Sequence, residues 1–272
     1  MDTPALFDRL WQDYVEITPQ APRIHALLQG RGETFRNDHI ALRTFALPEV
    51  ALERLAIPFL DRGYRVTGSY RFETKRLLAR SYGHEDPRLP RVFISELLVD
   101  ELDPEVGVLA RSMVAGARGR EGEDLLLGDR AWGLPRLEDY RRLQQHSEYA
   151  AWLSAFGIRV NHFTVHVNDL SGFDDLVALN AFLRASGFVL NGDDAGRSIQ
   201  GSPAELLEQS STLASTVDWS FADGERASIP GCYYEFALRH ADPDTGDLFD
   251  GFVTRSADKI FESTDQGQPT GG

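Results

Sequence analysis

Arg159-Val160-Asn161-His162-Phe163-Thr164-Val165-His166-Val167-Asn168 is the stretch whose reading decides the fold. It alternates and is rich in β-branched and aromatic residues, which predicts a strand with turn residues after it. A period of two puts His162, Thr164 and His166 on one face and Phe163, Val165 and Val167 on the other. The apolar face has a core to join. The other face holds two imidazoles, which a buried sheet face rarely carries without a purpose.

The same pattern stands earlier in the chain, at Asn37-Asp38-His39-Ile40-Ala41-Leu42-Arg43-Thr44-Phe45. A small polar residue precedes His, and alternation follows. His39 matches His162, and Arg43 matches His166. Each copy is followed by an apolar-periodic segment, Val50 to Leu60 and Leu176 to Leu183, and then by a Gly-aromatic step, Gly63-Tyr64 and Gly187-Phe188. The His-to-Gly intervals are 24 residues (39 to 63) and 25 residues (162 to 187), and the copies are offset by 123 (39 to 162). Chance likeness between two ordinary strand–helix–strand units is the plainer explanation. The shared His, spacing and Gly-aromatic step favour a duplicated module.

The rest of the chain arranges itself around the two copies. Residues 1–30 are predicted helical. Asp2-Thr3-Pro4 can cap a start, and Leu6, Phe7, Leu10, Trp11 and Val15 follow at helical spacing, with a second helix from Ala21 to Leu28 ended by Gly30. The first module occupies 31–112, with strands expected at Ile40–Phe45, Arg65–Phe72, Arg76–Ser81 and Arg91–Val99. Residues 113–158 break the repeat. Their helical run, Leu137 to Phe156, is expected to be a connector packed outside the sheets. The second module occupies 159–255. It holds a polar turn at 191–196, a helix-like run around Leu206 and Leu207, and a final strand from Gly231 to Arg239. Residues 256–272 are expected to be disordered. The fold class is α+β, with a single compact domain overall.

Composition narrows the partners. The 272 residues are 42% hydrophobic, enough for a real core, and the net charge is −14 from 28 basic and 42 acidic residues. A nucleic acid would meet strong repulsion. The single cysteine, Cys232, excludes an intrachain disulfide and suits a reducing cytosol. No apolar run approaches membrane-span length, and the N-terminus lacks a signal pattern, so a soluble cytoplasmic protein with no membrane partner is expected.

Two His at matching places in duplicated strands invite a shared metal. In Tyr233–Arg239 the alternation puts Tyr233, Glu235, Ala237 and Arg239 on one face, and an interior carboxylate is costly unless paired or metal-bound. His39, His162 and Glu235 make a two-His, one-carboxylate set of the kind that leaves positions open on a non-haem Fe(II). Either His alone would be read as a hydrogen-bonded sheet residue, and Glu235 alone as a partner of Arg239 or Arg43. Glu96 is the competing carboxylate. Arg43 lies four residues after His39 on the same face, about 13 Å along the strand. It can grip a substrate carboxylate or pair with a structural acid. His166 can line the same pocket. Arg239 can as well, although a surface salt bridge is its more ordinary role. His84 and His146 read as solvated residues.

Asp38-His39-Ile40-Ala41-Leu42-Arg43, Asn161-His162-Phe163-Thr164-Val165-His166 and Tyr234-Glu235-Phe236-Ala237 together resemble the 2-oxoadipate dioxygenase/decarboxylase family, which is similar to the vicinal oxygen chelate superfamily. The resemblance runs from about residue 30 to 255. It implies paired βαβββ modules in a curled, barrel-like sheet around one Fe(II) held by His39, His162 and Glu235, with Arg43 on the substrate carboxylate. It implies conversion of 2-oxoadipate and O2 to 2-hydroxyglutarate and CO2 in lysine breakdown. The chain departs from the pattern in size, because better-known members carry further C-terminal segments that help wall the pocket. Two rival functions use the same fold. One is a Zn or Ni isomerase or hydrolase with Glu96 as a fourth ligand, and the other is a non-catalytic small-molecule binding protein.

Overall fold

The computed structural model describes residues 1–253 except 129 and 194; the expected disordered tail lies outside the described residues. Two helices open the chain, α1 (Thr3–Val15) and α2 (Gln20–Gly30). The first module follows as β1 (Asn37–Phe45), α3 (Leu52–Leu60), β2 (Arg65–Phe72), β3 (Leu77–Gly83) and β4 (Arg91–Leu97). Four helices connect the modules: α4 (Pro104–Val114), α5 (Gly122–Leu127), α6 (Leu137–His146) and α7 (Glu148–Phe156). The second module is β5 (Val160–His166), α8 (Leu176–Ala185), β6 (Gln200–Ser202), β7 (Leu207–Ser211), β8 (Thr216–Ser220), β9 (Arg226–Pro230) and β10 (Glu235–Arg239).

The duplication is visible in the sheet. Eight strands run in the order β2-β3-β4-β1-β5-β10-β7-β6, curled into a half-barrel. In the first half β1 pairs parallel with β4, and antiparallel ladders add β3 and β2. In the second half β5 pairs parallel with β10, and antiparallel ladders add β7 and β6. The halves meet where β1 and β5 pair antiparallel. The β8–β9 hairpin is an insertion between β7 and β10.

The Gly-aromatic steps are the same structural device. Gly63 and Gly187 both take φ +87°, just past α3 and α8. The next amide reaches back in each case, Tyr64 N to Phe59 O at 3.2 Å and Phe188 N to Leu183 O at 3.0 Å, which closes a helix C-terminus. An L side chain at this φ costs about 1–2 kcal/mol. Gly187→Ala, whose added Cβ meets nothing within 4 Å, is expected to lose about that much in urea unfolding. Gly63→Ala is expected to lose more, because its Cβ would lie 3.2 Å from His84 Nε2.

One sheet face packs on helices. Ile40, Leu42, Phe163, Val165 and Phe236 are fully buried there, and the α1 rings of Trp11 and Tyr14 lie 5.0 and 5.1 Å from Phe163. The other face carries His39, His162, Arg43 and Glu235. Among the described residues no helix is long and apolar enough to cross a membrane.

Five expectations change. The helical run from 137 to 156 is two helices, because Ser147 is extended and its Oγ accepts from Ala150 N to cap α7. Nor is α7 outside the sheets: Tyr149 to Phe156 are all buried, Tyr149 Oη donates to Ser95 O at 2.7 Å, and Trp152 Nε1 donates to Gly231 O at 3.0 Å. The run around Leu206 is not helical. Leu206 turns at φ +62°, and Leu207, Gln209 and Ser211 alternate along β7. The last strand starts at Glu235 rather than Gly231, and α4 crosses the boundary expected at 112.

Candidate metal centre

The β1–β5 ladder places the histidines as a symmetric pair. His39 lies opposite Thr164, and His162 opposite Ala41. The register skips one residue on each strand, Asp38 and Asn161. Each is a bulge, and a bulge re-aims the side chain it carries. Asp38 Oδ1 accordingly accepts from His39 Nδ1 at 2.8 Å, and Asn161 Oδ1 from His162 Nδ1 at 3.2 Å. With Nδ1 protonated on both rings, both Nε2 lone pairs face the interior. The ring centroids are 5.4 Å apart.

Glu235 enters from β10, opposite Thr164, and is fully buried. Its Oε1 accepts from Gln209 Nε2 at 2.6 Å and lies 3.3 Å from His39 Nε2. Its Oε2 lies 3.6 Å from His162 Nε2 and has no hydrogen-bond partner among the described residues. One donor atom from each of the three residues lies within 4.8 Å of the others. A buried carboxylate oxygen without a donor, beside two imidazole nitrogens, is the arrangement a cation completes. The donor set therefore fits a divalent metal.

The electrostatics of the two histidines differ. Burial pushes His162 down to about 3, which keeps it neutral with its lone pair free. Burial opposes ionisation of Glu235, yet His162 and His39 outweigh it and hold the carboxyl low. The same balance holds Asp38 well below the carboxylate range, where Arg239 outweighs burial. His39 moves opposite to His162. Burial would lower it, but the contacts to Asp38 and Glu235 raise it. The difference follows from a carboxylate behind one ring and an amide behind the other.

The pseudo-symmetry shows what is missing from the set. Thr164 follows His162 by two residues, as Ala41 follows His39. Glu235 lies opposite Thr164, and Phe93 opposite Ala41. Phe93 thus occupies the place where a second carboxylate would complete a symmetric four-ligand site. Around it are Tyr70 at 5.6 Å and Phe252 at 5.1 Å, and Phe252 meets His39 edge-on at 4.9 Å. Glu96 is three residues on and on the opposite sheet face. It lies opposite Thr44, and its Oε2 accepts from Leu52 N at 2.9 Å to hold the start of α3. The structure does not bring it to the triad.

Arg43 shares the triad face at the far end of β1. Its Cζ lies 4.9 Å from the Tyr149 ring and 5.4 Å from Trp152. Tyr233 stacks on His162 at 4.8 Å. Because β1 and β5 are antiparallel, His166 sits at the opposite end from Arg43. Its Nδ1 is 3.1 Å from Asp169 Oδ1, and its Nε2 is 3.9 Å from Asp38 Oδ2. Arg239 is not at the surface. It is buried and bidentate on Asp38, at 2.6 and 2.8 Å. His84 uses both ring nitrogens to hold its loop, on Arg62 O and Asp86 N. His146 is exposed, as expected, and lies 3.5 Å from Glu105.

A sequence model of the 2-oxoadipate dioxygenase/decarboxylase family matches residues 8–122 and 124–246. The chain belongs to this family. The rice 2-oxoadipate dioxygenase/decarboxylase is 36% identical, with 94% of this chain and 77% of the relative aligned. The Arabidopsis thaliana protein of that name is 37% identical, with 85% and 68% aligned. Among solved structures, the rice hydroxyglutarate synthase in complex with 2-oxoadipate superposes with TM-score 0.88 at 32% identity, covering 96% of this chain and 91% of that one. A protein named as a hydrolase from Shewanella frigidimarina superposes with TM-score 0.84 at 44% identity, over 93% and 98%. A glyoxalase superfamily protein from Ralstonia eutropha, 24% identical, shares the fold with TM-score 0.72 over 91% and 84%.

The size departure is therefore narrower than the sequence implied. The chain spans nearly the whole of the rice and Shewanella structures but 61% of the Pseudomonas putida hydroxyglutarate synthase. Sequence reasoning about this family member missed Gln209, Tyr233, Phe93 and the orienting role of Asp38 and Asn161. The paired polar residue before each His was the available signal.

Proposed function

We propose that this protein is an Fe(II)-dependent dioxygenase/decarboxylase that converts 2-oxoadipate and O2 to 2-hydroxyglutarate and CO2. The observation that carries the reading is the orphaned Glu235 Oε2, 3.6 Å from His162 Nε2 in a carboxylate whose other oxygen is 3.3 Å from His39 Nε2, with an aromatic ring where a fourth ligand would stand. Support for the substrate comes from the family and from the rice relative, whose structure holds 2-oxoadipate. A place in lysine breakdown and a cytoplasmic location belong to the same reading, the latter supported by the single buried thiol of Cys232.

His39, His162 and Glu235 would hold the iron, which supplies O2 activation and a chelation point for the 2-oxo acid. The chain's own residues do the rest. Asp38 and Asn161 keep the Nε2 lone pairs inward, and Gln209 occupies one Glu235 oxygen so that the other is left for the metal. Phe93, Tyr70 and Phe252 exclude water from the first-module side of the site. Arg43, supported by Tyr149 and Trp152, offers a guanidinium to the distal carboxylate.

Glu96 was the candidate fourth ligand for the isomerase or hydrolase reading, and that side chain caps α3 on the other face. The test is O2 uptake by protein purified without oxygen and loaded with Fe(II). With 2-oxoadipate, one O2 consumed per CO2 released is the expected result. No uptake with any 2-oxo diacid would favour an isomerase or hydrolase, or a binding protein if metal is bound and no turnover is seen.

A further inference from the structure

The Asp38 carboxylate is 1% exposed and fully committed. Oδ1 accepts from His39 Nδ1 at 2.8 Å and from Arg239 Nη2 at 2.8 Å, while Oδ2 accepts from Arg239 Nε at 2.6 Å. The third arm of that guanidinium points elsewhere. Arg239 Nη1 donates to Phe249 O at 2.8 Å and Gly251 O at 2.9 Å. Between those carbonyls Asp250 accepts from Arg91 Nε at 2.5 Å, and Arg91 Nη1 lies 3.7 Å from Asp38 Oδ2. One residue further on, Phe252 lies edge-on to His39 and 5.7 Å from Arg239 Cζ. A strap, residues 249–252, is thus pinned beside His39 by the cation that also holds the carboxylate behind that ring.

The second module has the bulge without the wiring. Asn161 is neutral, its Nδ2 has no hydrogen-bond partner among the described residues, and no Arg contact to it is seen there. The duplicated device has therefore diverged. One copy only orients its His, and the other orients its His and ties it to the strap.

We propose that Asp38 is a positioning residue that sets the orientation of His39 and, through Arg239, couples it to the closed position of strap 249–252. The inference rests on the metal reading above. Losing a group that orients a metal-bound imidazole lowers metal affinity about 10- to 100-fold. Losing the pair to Arg239 frees the strap as well.

The experiment compares Asp38→Asn, the charge-balanced double variant Asp38→Asn/Arg239→Met, and Asn161→Ala. Co(II) affinity is read by chelator competition, the Co(II) visible absorption reports ligand geometry, and amide hydrogen exchange is followed in peptides covering 249–252. Both Asp38 variants are expected to bind Co(II) about 10- to 100-fold more weakly, with an altered absorption band and faster strap exchange. Asn161→Ala is expected to weaken Co(II) binding and leave strap exchange at the wild-type rate. The double variant keeps the test alive if Asp38→Asn fails to fold with a buried Arg239 unpaired. Unchanged affinity and absorption in the Asp38 variants, or weakened affinity with unchanged strap exchange, would overturn the coupling. Wild-type protein that binds no Co(II) would instead overturn the metal reading, a separate and recognisable failure.

Discussion

Glu235→Ala is expected to leave the purified protein with almost no bound metal after anaerobic Fe(II) loading and gel filtration, as read by elemental analysis. His39→Ala and His162→Ala should behave alike. Each removes one of three ligands, and the lost charge matters most at position 235, because Glu235 is the only anionic member of the set. Glu96→Ala is the control. Its carboxylate caps α3, so the variant is expected to lose about 1 kcal/mol of stability and keep its metal. The reverse pattern, with an empty site in Glu96→Ala and a full one in Glu235→Ala, would replace the assigned carboxylate.

The triad residues were legible because two signals coincide. Period two puts His39 and His162 on one face of their strands, and the repeat says that the strands are equivalent. Glu235 was legible by alternation alone. What lay beyond reach depends on register. Alternation places Asp38 and Asn161 on the face opposite their His, and the structure puts them beside it only because each is a bulge. These bulges carry no Gly to betray them. Register likewise decides between Glu96 and Phe93, since β4 offers a carboxylate and a ring within four residues and only the pairing with β1 says which faces the triad. The burial of α7 was readable in hindsight: Tyr149-Ala150-Ala151-Trp152-Leu153-Ser154-Ala155-Phe156 is apolar nearly all round, the mark of a buried helix rather than a surface connector. The left-handed turn at Leu206 has no such mark, since only a few per cent of non-glycine residues adopt it.

Arg43→Met is expected to abolish the preference for a second carboxylate. In the native protein kcat/KM for 2-oxoadipate should exceed that for 2-oxohexanoate by a large factor, because a charge-assisted pair in a desolvated pocket is worth on the order of 2–5 kcal/mol. Removing the guanidinium should bring the two substrates to similar, low values, with metal content unchanged. Arg43→Lys should fall between them. It keeps the charge but loses the planar fork, and it loses the packing of a flat cation against Tyr149 and Trp152. The packing makes Arg43 partly a structural residue, so activity alone would not decide its role. The ratio between the two substrates does, because damage to the fold lowers both rates together. Equal rates for the two substrates in the native enzyme, or an unchanged ratio in Arg43→Met, would remove Arg43 from the substrate site. The carboxylate would then have to be sought by another cation on the triad face. Arg239, committed to Asp38 and the strap, offers its guanidinium only by breaking both.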